Sequence, residues 1–86
     1  MSDVTEDRIG EAILQLLAQR QPAATICPSE AARELAPDAW QVLMPRVRAV
    51  AVAMAKAGVL EIRQGGRALA PTATLRGPIR LGRKPG

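Results

Sequence analysis

Residues 39–86 hold nine basic side chains and a single acid, Glu61, so this stretch carries +8. Residues 1–38 hold seven acids and three arginines and carry −4. A half-chain with so strong a positive field attracts polyanions. Within it Arg46, Arg48 and Lys56 recur along one helical segment, Arg63 and Arg67 flank Gly65-Gly66, and Arg80 follows. Guanidinium and ammonium groups in this pattern suit phosphate oxygens, which fix a protein on a nucleic acid without reading its bases. They equally suit a solvated face or an acidic protein partner. Ala49, Val52 and Ala53 stand between the cations of the helical segment. Alanine and valine can touch a thymine methyl but make no bidentate base contact. That face would grip a duplex with little sequence choice, or would instead dock another protein or a second copy of the chain.

Catalytic chemistry has few candidates. There is no histidine, which removes the commonest general base and a common metal ligand. Cys27 precedes Pro28 at an expected helix start, where the helix dipole lowers a thiol pKa. Without a neighbouring base it reads as a small apolar residue or a weak cap. A lone cysteine allows no intramolecular disulfide and suits a reducing cytosol. The acidic, polar start Met1-Ser2-Asp3-Val4-Thr5-Glu6-Asp7 is no signal peptide, and no apolar run reaches the ~18 residues of a membrane span. Glu6, Asp7 and Glu11 form no metal-ligating pattern and read as a helix start with a solvated face. Trp40 is the one aromatic residue. It reads as an anchor of the core, since single-stranded binders usually offer several stacking platforms. The expectation is a cytoplasmic binding module with no cofactor or metal, no membrane association and no enzymatic activity.

The elements that must position these groups follow from apolar spacing and punctuation. Ile9, Ile13, Leu16 and Leu17 make one stripe of a first helix, capped by Ser2, Asp3 or Thr5 and ended near Gln21 by Pro22. Thr25-Ile26 reads as a short strand. Pro28 opens a second helix with Ala31, Ala32 and Leu35 inward, and Pro37 closes it. Asp38 is expected to cap a short turn carrying Trp40 and Leu43, which Pro45 breaks from a third helix running to Ala57, with Gly58 as its stop. Leu43, Val47, Val50, Ala51, Met54 and Ala57 would face inward. Val47, Met54 and Leu16 are expected to be buried, and Trp40 mostly so. After Gly58 the period falls to two: Leu60 and Ile62 alternate with Glu61 and Arg63. A two-residue turn at Gly65-Gly66 then pairs Ile62 with Leu69, Arg63 with Ala68 and Gln64 with Arg67. Ile79 and Leu81 alternate around Arg80 as a final short strand or packed extension. The basic stretch with Arg76, Arg80, Arg83 and Lys84 reads as an electrostatic arm or a solubilising end.

The order of elements is that of a winged helix-turn-helix, mainly α with a small β-hairpin as the wing. The domain would span residues 3–81, followed by a flexible basic tail at 82–86. Thr25-Ile26-Cys27-Pro28-Ser29-Glu30 with Arg33, Trp40, Met44-Pro45-Arg46-Val47-Arg48, Gly58, Gln64-Gly65-Gly66 and Arg76-Gly77-Pro78-Ile79-Arg80 together resemble a small bacterial family known as domain of unknown function 3253. The resemblance runs from about residue 6 to residue 81. It implies a winged-helix fold in a bacterial cytoplasmic protein and implies no activity. From the residues themselves the expected partner is duplex DNA, or structured RNA, held by Arg46, Arg48, Lys56, Arg63, Arg67 and Arg80. The alternative is a protein-interaction module or homodimer built on Ala49, Val52 and Ala53.

Overall fold

Thr5 starts the first helix: its hydroxyl accepts the backbone N–H of Arg8 at 3.2 Å, satisfying one of the donors a helix N-terminus leaves open. The computed structural model describes residues 4–70 and 75–84. The alternative caps Ser2 and Asp3, and the tail residues 85–86, lie outside the described residues. Helix α1 (Glu6–Ala18) carries Glu6 and Asp7 in its first turn, where carboxylates suit the helix dipole. It buries Ile9, Ala12, Ile13 and Leu17. Its last turn has no basic residue of its own. A guanidinium from the far end of the chain, Arg83, donates to the Leu17 carbonyl at 2.8 Å and closes that end.

Strand β1 (Thr25–Ile26) and helix α2 (Pro28–Leu35) follow as expected. The Glu30 carboxylate reaches back to the Cys27 N–H at 2.8 Å and receives Arg20 at 2.6 Å. Ala31 and Ala32 are wholly buried, so both neighbouring helices can approach α2 closely.

Helix α3 is one unbroken run, Trp40–Lys56, with Pro45 inside it. This corrects the expected break. A proline in the second turn removes one donor, the partner of the Gln41 carbonyl. Gln41 and Pro45 both face solvent, so water can satisfy that carbonyl. Leu43, Val47, Ala51 and Ala55 meanwhile form an uninterrupted i, i+4 row on the core. Ala39 rather than Asp38 precedes the helix and makes no side-chain cap. Ala57 is exposed and Ala55 takes the inward place. Val47 is buried and Trp40 mostly so, as expected, whereas Met54 and Leu16 are half-buried; Trp40, Met54 and Leu16 pack on the core from its margin.

Strands β2 (Leu60–Gln64) and β3 (Arg67–Leu69) pair in the expected register, Ile62 with Leu69 and Gln64 with Arg67. Gly65 and Gly66 have φ of 58° and 80°, the left-handed pair that a tight hairpin turn needs. Strand β4 (Arg80–Arg83) lies between β1 and β2, antiparallel to both, so the sheet order is β1-β4-β2-β3. The chain therefore has a four-stranded sheet rather than a hairpin alone, and Gly82 and Arg83 belong to it rather than to a tail. Ile26, Leu60, Ile62, Ile79 and Leu81 are buried beside the inward rows of α1, α2 and α3 in one core. Three helices and a small antiparallel sheet with a projecting hairpin make a winged-helix-like arrangement. Among the described residues no helix is long and apolar enough to cross a membrane.

Candidate nucleic-acid interface

The six basic residues singled out in the sequence do not form one surface. On the sheet, Arg63 and Arg80 stand directly opposite each other on β2 and β4. Each is held by its own neighbours. Arg63 pairs with Glu61 and donates to the Gly66 carbonyl at 2.8 Å. Arg80 donates to the Thr25 hydroxyl at 2.8 Å and the Thr25 carbonyl at 3.0 Å.

Arg46 is bound across the helix pair. Its guanidinium meets both Glu6 carboxylate oxygens, at 3.0 and 3.2 Å, and also donates to the Val4 carbonyl. The hydrogen bond from Arg46 holds the Glu6 carboxyl below its ordinary range, and the same bond raises the Arg46 pKa. A carboxylate pKa depressed in the folded state stabilises the fold above its unfolded value and loses that contribution as pH falls through the folded one. Glu6→Gln is therefore expected to lower the urea midpoint at neutral pH. The gap to wild type should close as pH drops below the ordinary glutamate value of about 4.3, and high salt should shrink it. A gap unchanged in acid would show that the pair is not the cause.

Of the remaining three candidates, Arg48 and Arg67 lie towards the wing. At about 100° per residue, Arg48 and Val52 share one side of α3, Arg46 and Ala53 share another, and Lys56 falls between them almost in line with Ala49. Arg48 donates to the Gly77 carbonyl at 3.1 Å. The side chain of Gln64, whose strand partner is Arg67, donates to the carbonyls of Arg76 and Pro78. These bonds tie α3, the hairpin and residues 76–78 into one platform with Arg48, Arg67 and Arg76 around it. Gly77 turns the chain there with φ 70°. Lys56 stands about 12 Å further along α3, about 80° round the helix from Arg48. Lys56, Arg67 and Arg76 are exposed, and their side chains make no hydrogen bond or ion pair among the described residues. The sequence alone marks Arg76 only as part of a basic C-terminal stretch. The turn signal Arg76-Gly77-Pro78, two residues from an apolar alternation, was the available sign that it lies in the fold.

The interaction strip is also divided. Ala49 and Ala53 are exposed and line a groove against α1, whereas Val52 is half-buried against the core. Trp40 is mostly buried, with the Arg33 guanidinium 4.2 Å above its ring, so one face is already covered. Cys27 is half-buried and its sulfur accepts the Ser29 hydroxyl at 3.0 Å. Among the described residues no three Cys, Asp or Glu side chains converge as a metal site.

The chain belongs to the family described as protein of unknown function (DUF3253), whose model matches residues 6–84. No curated protein matches the sequence.

Proposed function

We propose that this member of the DUF3253 family is a cytoplasmic nucleic-acid-binding module that holds duplex DNA through its phosphates. The observation that carries the reading is a set of available cations: Arg67 and Arg76 at the wing-side platform and Lys56 on the outer face of α3 are exposed, with side chains that have no partner among the described residues, and Arg48 at the platform is held by a single carbonyl. Cations of this kind bind phosphate without first breaking an ion pair. Carboxylates cluster elsewhere, with Glu6, Asp7 and Glu11 beside the α1–α3 groove. Along the outer face of α3, Val42, Pro45, Ala49 and Ala53 are exposed, and none of these four can read a base edge with paired hydrogen bonds. Binding is accordingly indifferent to sequence. The half-buried, unpaired Cys27 suits a reducing compartment.

Fluorescence anisotropy of a labelled duplex across a salt series tests this. Three to four phosphate contacts should give log K against log salt a slope of about −3 to −4. Unrelated duplexes should bind alike. A slope near zero, or no saturable binding at low salt, rejects the reading.

A further inference from the structure

We propose that the groove between α1 and α3 docks a basic amphipathic helix of a partner protein, at a site separate from the phosphate platform. The groove is open to solvent, with a volume of about 640 Å³, and Gly10, Leu14, Ala49, Ala53, Met54 and Val59 line it. At Gly10 the helices come close enough that an added Cβ would lie 3.7 Å from the Met54 sulfur. The small residues Ala49 and Ala53 keep the opposite wall low. Leu14 and Val59 are 45% and 47% exposed, two of the three large apolar side chains left in water among the described residues. Two large apolar side chains exposed along one groove give a partner helix its anchor points.

Length and charge specify the occupant. The α3 wall from Arg46 to Ala57 is about 16 Å long, three helical turns, which matches a helix presenting apolar anchors at i, i+3 or i+4, and i+7. The α1 lip carries Glu6, Asp7 and Glu11. Glu6 is engaged by Arg46, but Asp7 and Glu11 have no partner among the described residues. They stand one turn apart with like charge, an arrangement that disfavours an isolated helix and is relieved by cations from outside. A second copy packed about a two-fold axis through this lip would set its carboxylates against themselves. The phosphates of a nucleic acid would meet the same repulsion. An apolar seam flanked by lysine or arginine answers both features of the groove.

The test uses the full chain and three fluorescein-labelled peptides of about eighteen residues, five turns of helix. All share leucines at i, i+3, i+4 and i+7, and the flanking positions are lysine, glutamine or glutamate. Anisotropy should show saturable binding of the lysine peptide, about ten-fold weaker binding of the glutamine peptide and none of the glutamate peptide. Ala53→Arg, which fills the groove and adds like charge, should abolish binding. Asp7→Asn with Glu11→Gln, both on an exposed helix face, should weaken it several-fold while circular dichroism stays unchanged. Failure of the lysine peptide to bind overturns the proposal, as does equal binding of the lysine and glutamine peptides. A dimer in sedimentation equilibrium that Ala53→Arg dissolves also overturns it, because a second copy then fills the groove. No nucleic acid is present, so these outcomes are independent of the duplex measurement.

Discussion

Leu81→Ala is expected to lower the stability of the domain by about 2–5 kcal/mol, the range for truncating a fully buried aliphatic side chain. Leu81 has no exposed surface and lies on β4 between Ile26 of β1 and Ile62 of β2. The hydrogen-bonded ladders on both sides keep the three strands from collapsing into the space left behind, so the cavity cost should be close to complete. A domain of this length has a total stability of about 4–13 kcal/mol. At roughly 4–8 °C per kcal/mol, the melting temperature should fall by about 10 °C or more, and a marginal domain would unfold outright. Urea and thermal denaturation followed by circular dichroism measure this. A loss below about 1 kcal/mol would mean that β4 lies at an edge of the sheet and that its burial has another origin.

The sequence carried the alternation of Ile79 and Leu81 but not the place of the strand they form. Local pattern gives a strand's inward face. Its position in a sheet depends on residues far away, here Thr25 and Ile26, paired with Gly82 and Leu81. One sign was present in Gly82: an added Cβ would lie 3.2 Å from the Thr25 methyl group, so a glycine inside an alternating segment marks a close neighbour. The hairpin was readable to the residue because turn chemistry and apolar period agree within ten positions. Pro45 misled because the rule that proline breaks helices concerns its missing donor, and in an exposed early turn that loss is small beside a buried row running through it.

The candidate site was legible as composition and not as geometry. Arg46, Arg63 and Arg80 are as basic in the sequence as Arg67 and Arg76. Only the fold brings Glu6 to Arg46 across 40 positions and Thr25 to Arg80 across 55. Residue type therefore identifies which groups can hold a phosphate, and tertiary contacts decide which have N–H groups left to do so. Gly77 illustrates the same division. Its positive φ is a local property, but its carbonyl gathers Arg48 from a helix 29 positions earlier.

Replacing Lys56, Arg67 and Arg76 together by alanine should weaken duplex binding by about a hundred-fold at 0.15 M salt. The size follows from counterion release. With a slope of about −0.9 per phosphate neutralised, each contact contributes roughly five-fold at that salt concentration, and three contributions multiply to about one hundred-fold or slightly more. The slope of log K against log salt should fall by about three units, and the loss should be equal for unrelated duplexes. All three side chains are exposed, so the melting temperature should stay close to that of wild type. The matched control is Glu6→Ala with Arg46→Ala, which removes an arginine without changing net charge. Since Arg46 already meets Glu6 at 3.0 Å, this variant should keep both the affinity and the slope of wild type. If the control loses as much affinity as the triple variant, binding runs through Arg46 and the groove side of α3. If neither variant changes the slope, phosphate contact is not the source of the affinity, since no other part of the interaction depends on salt in this manner.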